Sequence, residues 1–187
     1  MKNILKNRLA LSTVVTTLII LVVSVLLAGV VTYFAINVTS TRVQEENLSL
    51  SKQHVWVAMD GTAVAAIMVT NTGGRDVVIS KVAVRGQAAA DADIFYVVAD
   101  STDDLTVDLD WATNSSIIAT GDTPGGFTNT LAALGGETLV LTSGNTMAIY
   151  INSPDSINVN DIGLTVAITV FTSQAIHYRE TNVEAVV

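Results

Sequence analysis

The sequence predicts an α+β chain in which a long N-terminal hydrophobic α-helix precedes an all-β, immunoglobulin-like sandwich, like the stalk and head of a lollipop. No charged side chain occurs between Leu9 and Thr41, and a helix of that length would measure about 50 Å. After Ser51 the apolar residues form short β-rich runs separated by turns rich in Gly, Asn and Asp, a pattern typical of all-β domains. We therefore predict a basic leader over residues 1–10, a stalk helix over residues 11–51 and an extracellular β-sandwich over residues 52–187.

The predicted helix is hydrophobic on every side. Such a helix has to be buried in lipid or in protein, and about 20 apolar residues already cross the roughly 30 Å hydrocarbon core of a bilayer. Lys2, Lys6 and Arg8 precede it and no acidic residue does, which places the N-terminus in the cytoplasm and the rest of the chain outside. An ordinary secretory signal has a short apolar run followed by small residues at its cleavage site. Here the small residue, Ala10, lies before the main apolar run instead.

A stripe of small side chains follows one face of the helix. Ser24, Ala28 and Thr32 are spaced four residues apart, and such stripes let helices approach closely where lipid surrounds them. The alternative is a plain anchor with incidental small residues. Gly29 marks either a packing contact or a point where the helix bends.

The helix is predicted to continue to about Glu46, because Ile36, Val43 and Leu50 recur at a helical spacing. Beyond it, nine runs are strand candidates: His54–Met59, Ala63–Thr70, Val77–Arg85, Ile94–Ala99, Leu105–Leu109, Thr138–Leu141, Met147–Ile151, Leu164–Thr172 and Ala175–Val186. We expect the last of these to contribute Ile176, Tyr178 and Val183 to the core. The stretch from Asp100 to Gly136 is rich in Thr, Asp, Asn and Gly and is predicted to form outward surface loops.

Arg8-Leu9-Ala10 followed by the apolar run from Leu11 resembles the class III leader and helix of archaeal type IV pilins. The match covers Lys6 to Val43, and the turn at Asn71-Thr72-Gly73-Gly74 resembles the family's β-domain more loosely. The resemblance implies that a prepilin peptidase cuts between Ala10 and Leu11 and that assembly machinery packs the helices into a filament core. Leu9 stands where a basic residue is more usual, and Val15 stands where bacterial pilins carry Glu.

Charge and motifs exclude several other functions. The chain has 9 basic and 17 acidic residues and a formal net charge of −8, which argues against binding nucleic acid. It has no cysteine, so disulfides and cysteine metal sites are excluded. His54 and His177 are not in a metal-binding spacing, and no nucleophile, phosphate-binding or dinucleotide motif appears. We therefore predict no enzymatic activity, no catalytic residue and no cofactor.

Acidic residues between Asp91 and Asp110 form the one cluster with possible chemistry. Carboxylates on loops are suitable ligands for Ca²⁺, and the candidates are Asp100, Asp103 and Asp104. Their spacing differs from that of an EF-hand loop. The alternative, which we favour, is a solvated acidic face without a metal.

Three Asn-x-Ser/Thr sites begin at Asn37, Asn47 and Asn114. Asn114 is the best glycosylation candidate because it lies in the predicted outward loops, whereas the other two lie on the predicted stalk. Trp56 and Trp111 are either adhesive aromatic residues or members of a buried core.

These observations together predict a structural subunit of an extracellular archaeal type IV pilus-like filament. The subunit would polymerise through its N-terminal helix, serve surface adhesion and reside in the cell membrane as a precursor before assembly. One alternative is a monomeric, single-pass membrane-anchored binding or surface-layer domain. A second alternative is a subunit of an archaellin-type motility filament.

Overall fold

The computed structural model describes residues 8–43, 45–111 and 119–186. Its helix, α1, covers Arg8–Val43, and the rest of the described chain forms a separate compact unit. Between Ser12 and Ser40 the helix is long and apolar enough to cross a membrane. Within this span no residue is Pro or charged, which allows an uninterrupted helix.

The helix ends earlier than predicted. Strand β1 begins at Leu48, so the domain boundary lies before residue 51, and Leu50 is a buried strand residue rather than part of a helical stripe. Turns of the β-domain bind the chain just before this strand. The backbone N–H groups of Thr72 and Gly73 donate to the Asn47 carbonyl, at 2.9 and 3.1 Å, and the Thr172 hydroxyl donates to the Glu46 carboxylate at 2.8 Å.

Gly73 is required for this contact. A Cβ atom at this position would lie 2.7 Å from the Glu45 carbonyl oxygen and 2.8 Å from the Asn47 nitrogen. A separation of this size is well inside van der Waals contact. The linker of residues 45–47 therefore rests directly on the backbone of the turn.

Ten strands make up the β-domain: β1 (Leu48–Ala58), β2 (Ala63–Asn71), β3 (Val77–Val84), β4 (Gln87–Ala88), β5 (Ile94–Val98), β6 (Ala132–Ala133), β7 (Leu139–Leu141), β8 (Thr146–Asn152), β9 (Thr165–Thr172) and β10 (Ile176–Val186). Short 3₁₀ helices cover Asp91–Asp93 and Val159–Asp161. Eight of the nine strand candidates are confirmed in type. The exception is Leu105–Leu109, which lies in turns and irregular chain.

The strands form one mixed sheet in the order β4-β3-β9-β10-β1-β2-β8-β5-β6, and β7 also pairs with β3. Pairing is antiparallel except between β1 and β10, which run parallel. Residues from both halves of this order pack in one apolar cluster, including Val82 of β3, Val170 of β9 and Ile94 of β5. The sheet therefore curls around its core.

A second apolar cluster covers the other face of β2 and β8. Leu109, Phe127 and Leu131, from the connection between β5 and β6, pack against Trp56 and Tyr150. Every residue of β8 is buried as a result. The stretch predicted as surface loops thus also encloses part of the sheet.

The last strand differs from the expected core pattern. Val183 is buried as predicted, but Ile176 and Tyr178 are each 64% exposed. They lie on the outer face of β10, because side chains alternate between the two faces of a strand. Both belong to the half of β10 that β1 does not pair with.

Candidate functional site

The surface of α1 is apolar and uncovered. Every side chain from Ser12 to Ser40 is exposed, and the large ones include Leu18, Leu26 and Ile36. Contiguous exposed apolar surface of this extent marks a membrane or protein contact.

Several polar side chains of this surface donate to backbone carbonyls of the helix itself. The hydroxyls of Thr16, Ser24 and Thr32 donate to the backbone carbonyls four residues earlier, at 2.8, 2.7 and 2.8 Å. The Asn37 amide donates to the Tyr33 carbonyl at 3.0 Å. A buried polar group needs a hydrogen-bond partner, and these groups have one without water. These four side chains therefore do not prevent burial of the helix in lipid or protein.

The predicted stripe lies on this exposed surface. Ser24, Ala28 and Thr32 follow one another at one helical turn each, and the Thr32 hydroxyl bonds to the Ala28 carbonyl. A Cβ atom on Gly29 would meet nothing within 4 Å. The stripe therefore presents small side chains and open space to whatever surrounds the helix.

The predicted cleavage bond between Ala10 and Leu11 lies near the start of α1, where helix ends fray. Residues 1–7 of the leader lie outside the described residues, as does Asn114. Asn37 is an exposed helix residue, whereas Asn47 is an exposed residue of the linker rather than of the stalk.

The acidic candidates are engaged in shaping their own loops. Asp103 accepts hydrogen bonds from the Thr128 hydroxyl at 2.6 Å and from the Asp100 backbone N–H at 2.8 Å. Asp104 accepts from the Thr106 hydroxyl at 2.6 Å. Among the described residues no group of three His, Cys, Asp or Glu side chains could hold a metal ion. The hydrogen bonds to Asp103 and Asp104 therefore order the acidic loops that carry them.

These contacts predict a pH dependence of the loop. The hydrogen bond from the Thr128 side chain, followed by that from the Asp100 backbone, holds the pKa of Asp103 below its ordinary value of 3.8. Because the pKa of Asp103 is lower in the folded chain, its carboxylate stabilises the loop above pH 3.8. This stabilisation is lost as the pH falls through the lower folded-state pKa. Asp103 Oδ1 also accepts from the Thr128 backbone N–H at 2.8 Å, so we expect amide hydrogen exchange at Thr128 to accelerate in Asp103→Ala at neutral pH. Asp91→Ala, an exposed control, should leave that exchange rate unchanged.

Side chains in the middle of β1 bind the connection between β5 and β6, which covers the second apolar cluster. The Lys52 ammonium donates to the Leu105 carbonyl at 2.6 Å and also to the Val107 carbonyl. His54 Nε2 lies 3.2 Å from Asp108 Oδ1, and the His54 ring stacks on Trp56 at 4.9 Å between centroids. Trp56 is thus a buried core residue rather than an adhesive one.

Tyr150 of β8 also binds this connection between β5 and β6. Its hydroxyl donates to the Asp110 carbonyl at 3.2 Å, and burial raises the pKa of this hydroxyl above its usual value. The hydroxyl therefore stays protonated and remains a donor at physiological pH. The sequence offered no signal for these loop contacts, since they join residues far apart in the chain.

No protein-family model and no curated protein matches this chain. Among solved structures it is similar to β-glucosidase from Listeria innocua, with 13% identity and a TM-score of 0.27. The same enzyme in complex with glucose gives a TM-score of 0.25 at 13% identity. Each similarity covers 75% of this chain and 16% of the enzyme chain. At these TM-scores the similarity carries no argument about fold or activity.

Proposed function

We propose that this chain is a structural subunit of an extracellular filament of the archaeal type IV pilus kind, which polymerises through α1 and serves adhesion. One observation carries the proposal. The apolar surface of α1 is exposed from Ser12 to Ser40, and the hydroxyls of Thr16, Ser24 and Thr32 need no water. In the membrane lipid covers this surface, and in a filament neighbouring copies of the helix cover it.

The energetics favour a polymer that does not release subunits into water. Burying a large apolar side chain is worth about 1.5–3 kcal/mol, and α1 exposes many of them. Compared with a helix in water, a helix in the filament is more stable by tens of kcal/mol. Compared with a helix in lipid, it gains much less, because lipid already removes the apolar side chains from water. Transfer from membrane to filament therefore has a small driving force, so the proposal includes a prepilin peptidase and an ATP-driven assembly machine.

The remaining parts of the chain are consistent with this proposal. All 17 acidic residues lie at or after position 45, which gives the exterior a soluble surface. The proposal includes no enzymatic activity and keeps the immunoglobulin-like sandwich as its expectation for the curled sheet. The proposal also includes glycosylation at Asn114, in the predicted outward loops.

Shearing of cells tests the proposal. We expect this chain in pelletable fibres without detergent, with Leu11 as its N-terminal residue, because the charged leader would be unpaired in a dry core. Release only by detergent would support the membrane-anchored alternative, and fibres beginning at Met1 would contradict the predicted processing. Loss of swimming rather than of attachment in cells lacking the protein would favour the motility filament.

A truncated chain tests whether the helix is the polymerising element. The runner-up mechanism is exchange of the terminal strand between copies, but β10 already pairs with β9 on one edge and with β1 at its end. A chain from Glu45 to Val187 retains the linker and all ten strands. We expect it to sediment as a folded monomer, whereas fibres formed without α1 would indicate strand exchange.

A further inference from the structure

A cleft separates the first halves of the two parallel strands β1 and β10. The strands pair only where Val55–Ala58 meets Val183–Val186. Before that point β1 has a register shift between Ser51 and His54, and Lys52 adopts a φ of 50°. Such a bulge bends a strand away from its neighbour. The facing edges of residues 48–51 and 176–179 therefore lack a ladder partner in the described sheet.

The cleft has a volume of about 530 Å³, and its lining includes Leu50, Ile176, His177, Tyr178 and Arg179. Arg179 Nε donates to the Leu50 carbonyl at 3.2 Å. This single bond leaves the other guanidinium N–H groups for an acceptor, since arginine carries five donors. His177 Nε2 is buried and has no hydrogen-bond partner among the described residues.

This combination is suited to an extended peptide that carries a carboxylate. Unpaired strand edges recognise an extended backbone, and a guanidinium forms short, charge-assisted bonds with a carboxylate. Ile176 and Tyr178, each 64% exposed, supply apolar contact at the rim. Two of the other cations of the domain have partners already: Lys81 lies over the Phe171 ring at 4.3 Å, and Arg85 bonds to Asp161 at 3.0 Å.

We propose that the occupant of this cleft is an acidic segment of a second copy of the chain, an inference that rests on the proposed filament. The copies are complementary in charge at this point, since the domain is strongly acidic and the cleft offers Arg179. Leu48, on the wall of the cleft, follows the end of α1 by five residues. That length of chain spans at most about 18 Å. Polymerisation through the helix would therefore raise the effective concentration of neighbouring β-domains around each cleft.

Photo-crosslinking in assembled fibres tests the occupant. The full-length chain carries a benzophenone amino acid in place of Tyr178, and Met59, which is 85% exposed, carries it in a control chain. We expect Tyr178 to crosslink to an acidic segment of another copy and Met59 to give at least tenfold less of that product. Crosslinks from Tyr178 only to a glycan or to another protein, or none, would overturn the proposal.

Charge reversal at Arg179 tests the proposed contact between its guanidinium group and a carboxylate of a second copy. Arg179→Glu should still assemble through α1 but should release subunits from fibres about tenfold faster, because a carboxylate then meets a carboxylate. Arg179→Lys should be close to the unsubstituted chain. Gln53→Ala, which removes another side-chain hydrogen bond across the strands, from Gln53 to the Glu180 carbonyl, should have little effect.

Circular dichroism in detergent checks that each variant is folded. If Arg179→Glu fails to fold, Tyr178→Ser on the exposed rim replaces it and should also accelerate release. Equal release rates for a folded Arg179 or Tyr178 variant and the unsubstituted chain would overturn the cleft contact and leave the filament intact. Absence of fibres from the unsubstituted chain would instead overturn the proposed function and this inference with it.

Discussion

Ala28→Arg should abolish fibres and leave the β-domain folded. Ala28 lies in the middle of the small-residue stripe on an exposed apolar surface. A guanidinium there would have no carboxylate partner in the described part of α1, and an unpaired charge in a dry helix bundle costs several kcal/mol. Negative-stain microscopy and pelleting of sheared material measure the loss. A β-type spectrum in detergent would show that the domain is intact.

Met59→Arg is the matched control, since it adds the same charge to a well-exposed turn of the β-domain, where Met59 is 85% exposed. Its fibres should resemble those of the unsubstituted chain in number and length. Normal fibres from Ala28→Arg would show that Ala28 faces lipid or solvent in the polymer and would contradict a filament core in which the stripe packs against neighbouring helices.

Asn71→Asp should lower the free energy of unfolding of the β-domain by about 3 kcal/mol at neutral pH. Asn71 is completely buried. Its amide donates to the Arg75 and Leu141 carbonyls at 2.8 and 3.0 Å, and its side-chain oxygen accepts from the Gly73 N–H at 3.0 Å. A carboxylate keeps the last contact but opposes two carbonyl oxygens in place of the first two.

Burial raises the pKa of a carboxyl group, so the sign of the pH dependence follows. The penalty in Asn71→Asp should be present above the raised folded-state pKa and should shrink as the pH falls toward the ordinary pKa of an aspartate. Asn145→Asp, at an exposed position of the adjacent turn, should be nearly neutral. Urea unfolding in mild detergent, followed by tryptophan fluorescence, measures both. Equal stability of the two variants at neutral pH would contradict the role assigned to Asn71.

The helix could be predicted from the sequence, but its end could not. A run without charge or proline specifies α1 locally, because nothing in it favours another structure. Leu50 fits the helical spacing of Ile36 and Val43 equally well, yet it is a strand residue, 5% exposed. The deciding contacts come from turns far along the chain, such as the one at Thr172. Sequence periodicity carries no information about such partners.

The connection after β5 shows a second limit. Leu105, Val107 and Leu109 alternate with polar residues as strand residues do, but the Asp104 carboxylate bonds to the Thr106 N–H at 3.0 Å and favours a turn. Asp and Thr form such local side-chain turns readily. The burial of Leu109 against the sheet and the cleft beside Arg179 depend on tertiary packing. Neither has a sequence signature of its own.

Helical reconstruction of sheared fibres by electron cryo-microscopy tests most directly whether α1 forms the filament core. We predict a continuous central bundle in which copies of α1 pack with Ala28 facing neighbouring helices and with Leu11 as the first residue. The β-domains should surround this bundle. Fibres joined only through the β-domains, with no helix density at the axis, would contradict polymerisation through the helix.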